Sequence, residues 1–508
     1  LTVAGELPLS AKATLDRTET IGLVDRRLFG SFVEHMGRGV YTGIYEPGHP
    51  SADEHGLRRD VIEVVREMGV TTVRYPGGNF VSGYRWEDGV GPAAERPKRL
   101  DLAWHSLETN AFGLDEFMRW TAAAGVEPIL TVNLATRGML EAIDLLEYAN
   151  HPGGTQLSDR RIAHGAIEPY GIRTWCLGNE LDGPWQVGHK TATEYGRLAC
   201  ETARAMRRFD PSLRLVLAGS SAAWMPTFGT WERTVLEEAY DHVDDISLHA
   251  YYEEGDDLAS FLASGVAMDR YIEDVVAIVD EVAAAKGSDR RVELSMDEWN
   301  VWYLRRHEET FPPTDWAEAP RIAEDAYTVA DAVVVGSLLI SFLKHADRVT
   351  SACMSELVNT IAPIKTEPGG GVWRESTFYP FALTAQHARG RAVNLAIIGP
   401  SMDTAAHGDV SALDGVAVVD DESGAVAVFV VNRHLAAAVE LSLDLRSVMP
   451  VSVETSLVLS DEDVHAVNTS SQPLRVRPAP LPDTRLDGTS LSTRLPPVSW
   501  AMIRLETA

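Results

Sequence analysis

The chain has 508 residues, too many for a single hydrophobic core, so a large domain accompanied by a smaller one is expected. Its 45 Lys and Arg stand against 74 Asp and Glu, a formal charge of -29. A field of that sign repels phosphate backbones and anionic lipid surfaces, which argues against nucleic-acid and membrane partners and suits a neutral substrate.

The opening residues Leu1–Glu6 contain no initiator Met and neither the basic nor the apolar stretch of an export signal, so a cytoplasmic location is expected. Residues 1–17 alternate at Lys12–Leu15 and are expected to add a strand to a sheet formed later in the chain. From about Leu28 to Pro380, short β-rich runs alternate with helical stretches, the pattern of parallel βα units. Expected strands end at Phe32–Met36, Val73–Tyr75, Ile129–Asn133, Thr174–Leu177, Leu215–Ala218, Ile246–His249, Glu293–Met296 and Thr350–Met354. Eight is the number that closes a (β/α)8 TIM barrel. Between the first two strands, Leu57, Val61, Val64, Val65 and Met68 fall at helical spacing and Gly69 follows as a stop. A doubly wound open sheet also fits the alternation, but no GxGxxG or P-loop pattern follows any strand.

The longest apolar run lies within Ala332–Leu343, between Asp331 and Lys344. It is too short to cross a bilayer and reads as a buried helix. After about Phe381 the pattern changes to alternating runs such as Val426–Val431, Val439–Leu445 and Trp500–Leu505, separated by turn clusters at Asp421–Gly424, Pro478–Pro482 and Asp487–Gly488. This predicts a barrel over 18–383 and an antiparallel β-sandwich over 384–508, completed by the strand in 1–17. Cys176, Cys200 and Cys353 are odd in number and lack metal-ligand spacing, and are expected to be small buried hydrophobes.

A barrel works at the C-terminal ends of its strands, and here those ends are polar: Glu34-His35, Gly77-Gly78-Asn79, Asn179-Glu180, His249-Ala-Tyr251 and Asp297-Glu298-Trp299-Asn300. Glu180 and Glu298 emerge at one mouth from the fourth and seventh strands, the paired carboxylates that glycoside hydrolysis needs. Asp297 competes with Glu298, but neighbours in a strand point to opposite faces, so only one of them is expected to face the pocket. His35 and His249 lack zinc-ligand company and are expected to orient neighbours. No metal and no cofactor is expected.

The chain resembles the α-L-arabinofuranosidases of glycoside hydrolase family 51 over essentially its whole length. The resemblance is carried by Phe29-Gly-Ser-Phe-Val-Glu-His35, Arg74-Tyr-Pro-Gly-Gly-Asn-Phe80, Arg99-Leu-Asp-Leu-Ala-Trp104 with Glu108-Thr-Asn110, and Trp175-Cys-Leu-Gly-Asn-Glu180. Ser247-Leu-His249, Asp297-Glu-Trp-Asn-Val-Trp302 and Leu357-Val-Asn359 with Ile361-Ala-Pro363 complete it in order. It implies a retaining exo-acting enzyme that removes terminal arabinofuranosyl groups from arabinofuranose-containing oligosaccharides, with Glu180 as acid/base and Glu298 as nucleophile. Glu34, Asn79 and Asn179 match positions that hold the furanose hydroxyls, Tyr251 a tyrosine beside the nucleophile, and Trp104 and Trp302 aromatics at the entrance. It also implies a jelly-roll-like second domain and a hexamer. Glu356 departs from the pattern, because family members usually carry Gln at this sugar-contacting position. A β-xylosidase or endo-β-glucanase on the same barrel is the nearest alternative, and a non-catalytic carbohydrate-binding protein a more distant one.

Overall fold

The computed structural model describes residues 9–507. Eight strands close into one parallel barrel: Gly30–Phe32, Thr72–Tyr75, Glu127–Thr131, Thr174–Leu177, Arg214–Leu217, Asp245–Tyr252, Glu293–Val301 and Val349–Met354. They follow one another in chain order, and the eighth returns to the first with Cys353 opposite Gly30. The intervening helices show one apolar face to the barrel. Arg59–Met68 buries Val61, Val64, Val65 and Met68 and ends at Gly69, whose φ of 78° is the left-handed conformation of a helix stop. Inside the barrel, Phe32, Ile129, Cys176, Val216 and Cys353 form a separate apolar layer that plugs the lumen below the mouth. All three cysteines are buried and free. No helix among the described residues is long and apolar enough to cross a membrane.

The later strands build a ten-stranded curled sheet. Of the expected first strand, residues 1–8 lie outside the described residues; Leu9–Leu23 runs through the middle of this sheet. It is antiparallel to Arg391–Ile398, with Ala13 opposite Ile397, and parallel to Val439–Asp444, with Ala11 opposite Leu441. The sheet is therefore mixed where a purely antiparallel one was expected. A strand arriving from the far end of the chain is not tied by a hairpin and can pair in either direction.

Both faces of this sheet are covered. In Val426–Asn432, Val426, Val428 and Val430 point into the curl, while Ala427, Phe429 and Val431 belong to the continuous core that includes the barrel helices. Ala501, Ile503 and Leu505 against Trp500 and Met502 divide the same way. The helix Val329–Lys344, buried from Val329 to Leu343, is the apolar run read from the sequence; it lies between barrel and sheet because a helix apolar all round needs cover on every side. Gly336 lets it approach: a Cβ there would lie 2.1 Å from Cδ1 of Trp500. Gly336→Ala is expected to destabilise the fold by about 1–3 kcal/mol despite the better helix propensity of Ala, since the fully buried indole has nowhere to move. Equilibrium unfolding in urea checks this, and an unchanged or raised stability would contradict the packing described.

Candidate active site

The polar strand ends surround one pocket at the C-terminal mouth of the barrel, with about 290 Å³ of empty space. Four acidic residues line it, Glu34, Glu180, Glu298 and Glu356, together with Asn79, Tyr251, Ser355, Trp104 and Trp302. Glu180 follows the buried strand Thr174–Leu177 and has a φ of 47°, a left-handed conformation that costs a non-glycine residue about 1–2 kcal/mol. Its Oε1 lies 2.9 Å from Nδ1 of His249, and its Oε2 accepts from Nε1 of Trp185 at 2.9 Å. Glu298 Oε1 accepts from Nη1 of Arg74 at 2.8 Å, and Oε2 from the Tyr251 hydroxyl at 2.9 Å. Tyr251 Oη is in turn 2.8 Å from Ser355 Oγ. One oxygen of Glu180, one of Glu298 and a ring nitrogen of His249 lie within 4.8 Å of one another.

Asp297 corrects the alternation argument. The register of Glu293–Val301 shifts against both neighbouring strands between Ser295 and Trp299. This bulge turns Asp297 and Glu298 both into the barrel, where strict alternation would have sent one outward. Asp297 lies deeper: its Oδ1 is 2.9 Å from Nε2 of His249, its Oδ2 is 3.5 Å from Nε of Arg74, and Cys176 Sγ lies 3.6 Å from that same oxygen. Only Glu298 reaches the pocket. Trp299, next in line, points outward and packs edge-on to Phe342 of the apolar helix.

Asn179 stands behind the pocket wall. Its Oδ1 accepts from Nη2 of Arg74 at 2.6 Å and its Nδ2 is buried without a partner, so it meets Glu298 only through Arg74. Asn79 accepts from Nε2 of Gln186. Glu34 Oε2 accepts from the backbone N–H of Phe80 at 3.0 Å, and Gly78 makes room for it, since a Cβ at Gly78 would fall 2.4 Å from that oxygen. Tyr251 meets Trp302 edge-on at 5.1 Å, while Trp104 packs with Phe80, Met36 and Ile322 over the pocket. His35 bridges Glu108 and Tyr75, each at 2.8 Å. Arg74, Trp185, Gln186 and Ser355 were not singled out as site residues from the sequence. Arg74 belongs to the motif Arg74-Tyr-Pro-Gly-Gly-Asn-Phe80, and an arginine in a buried strand signals a buried anionic partner.

The electrostatics divide these groups. Burial opposes a charge on His249, but Glu298, Asp297 and Glu180 around it prevail and push its pKa up to about 10. Burial likewise works against Asp297, and Arg74 with His249 overcomes it and holds that carboxyl below its ordinary value. Glu180 goes the other way: burial and the charge of Glu298 raise it, against hydrogen bonds from His249 and Trp185. Glu34 and Glu356 lie well above the carboxylate range, first through burial and then through neighbouring carboxylates. Doubly protonated, His249 donates from both ring nitrogens, to Glu180 on one side and to Asp297 on the other.

Two models of α-L-arabinofuranosidase domains match the chain, the α-L-arabinofuranosidase 1 domain over residues 64–264 and the α-L-arabinofuranosidase C-terminal domain over 297–499. The chain is 55% identical over 498 residues to the intracellular exo-α-(1→5)-L-arabinofuranosidase of Streptomyces lividans, covering 97% of this chain and 75% of that one. It is 51% identical over 514 residues to an exo-α-(1→6)-L-arabinofuranosidase of Bifidobacterium longum, covering 99% and 98%. Among solved structures, a family 51 α-L-arabinofuranosidase from Bifidobacterium longum superposes with a TM-score of 0.95 at 46% identity, over 99% of this chain and 100% of that one. The chain belongs to the α-L-arabinofuranosidases of glycoside hydrolase family 51.

The position of His249 has a consequence for stability. Its folded pKa of about 10 lies above the unfolded value of about 6.5, so its contribution is complete below the lower value and is lost as pH rises through the upper one. Between them the folded state holds one more proton, and stability falls by up to about 1.4 kcal/mol per pH unit on this account. Urea unfolding across that window is expected to give a shallower decline for His249→Gln than for the wild type. Parallel declines would show that His249 is not held as a buried cation.

Proposed function

We propose, from this family membership, that the chain is a retaining exo-α-L-arabinofuranosidase that hydrolyses terminal non-reducing α-L-arabinofuranosyl groups of arabinose-containing oligosaccharides by double displacement. The observation that carries the reading is the approach of Glu180 and Glu298 oxygens to within 4.8 Å. Retaining glycosidases hold their carboxyl groups about 5–5.5 Å apart, while inverting ones need about 6.5–9.5 Å to admit a water.

Glu298 attacks the anomeric carbon as the bond to the leaving oxygen breaks, and Glu180 gives that oxygen its proton. Glu180, now ionised, takes a proton from a water that attacks the same carbon, and Glu298 leaves. The two environments suit the two roles. Glu180 is biased by burial toward holding a proton, and Glu298 accepts from Arg74 and Tyr251, donors that suit a charged carboxylate. His249 acts as a positioning residue between Glu180 and Asp297. Glu34, Asn79 and Glu356 offer polar contacts to the furanose hydroxyls, with Asn179 behind them holding Arg74, and Trp104 and Trp302 close the pocket over the ring. No cofactor enters this scheme.

A pocket bounded by Trp104 and Trp302 as well as by the strand ends supports capture of one terminal sugar, where an endo-glucanase needs a cleft open at both ends. A purely binding role would not call for the opposed carboxylates. The relatives act on 1→5 and 1→6 bonds by their names, so the assignment is to the sugar and not to the linkage position. Relatives named intracellular support a cytoplasmic location. The barrel over 18–383 would carry the chemistry, with 384–508 and 1–17 as its supporting sheet; assembly as a homo-hexamer is proposed from the family resemblance and is testable by light scattering.

The reading is tested with aryl glycosides. The wild type is expected to release p-nitrophenol from the α-L-arabinofuranoside, and Glu298→Ala to abolish this. Glu180→Ala should cost about 10²–10⁴-fold on oligosaccharides and much less on the aryl substrate, whose leaving group needs little protonation. Silence on the arabinofuranoside with turnover of the β-D-xyloside or β-D-glucoside would reassign the sugar.

A further inference from the structure

Five carboxyl groups and two cations meet at the barrel mouth, and the cations are already engaged. Arg74 contacts Asp297 and Glu298, and His249 contacts Asp297 and Glu180. Among the described residues no Lys, Arg or His pairs with Glu34 or Glu356; the nearby Arg38 pairs with Glu324, and Lys365 Nζ donates to the Asn359 carbonyl.

Glu356 is 1% exposed. Its Oε2 has one long contact, 3.4 Å from the backbone N–H of Glu34, and its Oε1 has no partner in the wall of the pocket. The groups facing it are carboxyls from two other strands: Glu34 beyond the first and Glu298 at the end of the seventh. The backbone of Glu356 is tied on both sides, which holds the residue at this position. Asn300 Nδ2 donates to the Ser355 and Ile361 carbonyls at 2.5 and 2.6 Å, and the Glu356 N–H donates to the Ile361 carbonyl at 3.0 Å. Proton uptake is the remaining way to relieve an uncompensated buried charge.

We propose that Glu356 binds the sugar as a neutral carboxylic acid, its O–H donating a hydrogen bond to a hydroxyl of the furanose ring. The inference rests on the reading above that this pocket takes one arabinofuranosyl group. It makes Glu356 a conditional substitute at the position where family members usually carry Gln: it supplies a donor only while it holds its proton. Ionised, it would present a second acceptor beside Glu34 and add a negative charge next to the nucleophile Glu298. Burial and the two facing carboxyls favour the neutral form in the free enzyme.

The test is the pH dependence of KM, separated from kcat, on an aryl α-L-arabinofuranoside for the wild type and Glu356→Gln. In the wild type KM is expected to rise on the alkaline side, approaching about tenfold per pH unit as the competent fraction falls. In Glu356→Gln, whose amide always donates, the part of that rise due to Glu356 should be gone. Only what Glu34 contributes is left, so KM should climb less steeply across the same range. The alkaline limb of kcat, set by the proton on Glu180, should remain in both. A wild-type KM that does not rise with pH overturns the proposal without need of the variant, and so do KM profiles that superimpose. Absence of arabinofuranoside turnover by the wild type at every pH would instead overturn the functional reading itself.

Discussion

The site depends on the burial of two cations, Arg74 and His249, in the mouth of the barrel. Each costs several kcal/mol to desolvate and is tolerated only with anionic partners close by. Arg74, from the second strand, reaches Asp297, Glu298 and Asn179; His249, from the sixth, reaches Glu180 and Asp297. Together they tie the ends of the second, fourth, sixth and seventh strands into one network. They also set which acids carry charge. Asp297 has both cations and stays ionised, whereas Glu180 has only His249 and is drawn toward the neutral form. A barrel mouth with the same carboxyls and no buried cations would protonate indiscriminately.

The bulge in Glu293–Val301 makes that network possible. Alternation alone would give either Asp297 or Glu298 to the lumen, and the cations would then have one strong partner fewer. With both inside at different depths, Asp297 anchors the cations from below and leaves Glu298 free to present an oxygen to the pocket. The same irregularity aims Trp299 outward onto the helical layer, so one local shift serves the lumen, the pocket and the outer packing.

Much of this was readable in the chain. The eight parallel strands follow from βα alternation. The polar strand ends marked the mouth because two Glu residues, each beside an amide or aromatic, emerge there together, where a lone strand-end Glu more often caps a helix or forms a salt bridge. Three features were hidden, each for a physical reason. The direction of both Asp297 and Glu298 depends on a bulge, and a register shift leaves no mark in composition. Trp185 and Gln186 contact Glu180 from a loop, where no periodicity fixes direction. The sheet strand Val426–Asn432 is buried on both faces, so its near-continuous apolar run carries no polar alternation to say which side meets the barrel.

The second sheet bears on the chemistry through packing. The helix Val329–Lys344 leads directly into the eighth strand, and beyond that strand lie Ser355 and Glu356. Left on the surface, a helix with no polar face would expose a continuous apolar patch and invite aggregation. The sheet covers it, with Trp500 seated on Gly336 and with Arg433 donating to Ser337 of the helix and to Asp414 of the sheet. On its other side Phe342 meets Trp299, the residue that follows Glu298. Sheet, helix and seventh strand thus form one stack of contacts ending at the carboxylate that faces the pocket. Close-packed interiors transmit small displacements, so the sheet fixes the wall that carries Glu298 and Glu356 although none of its residues lines the pocket.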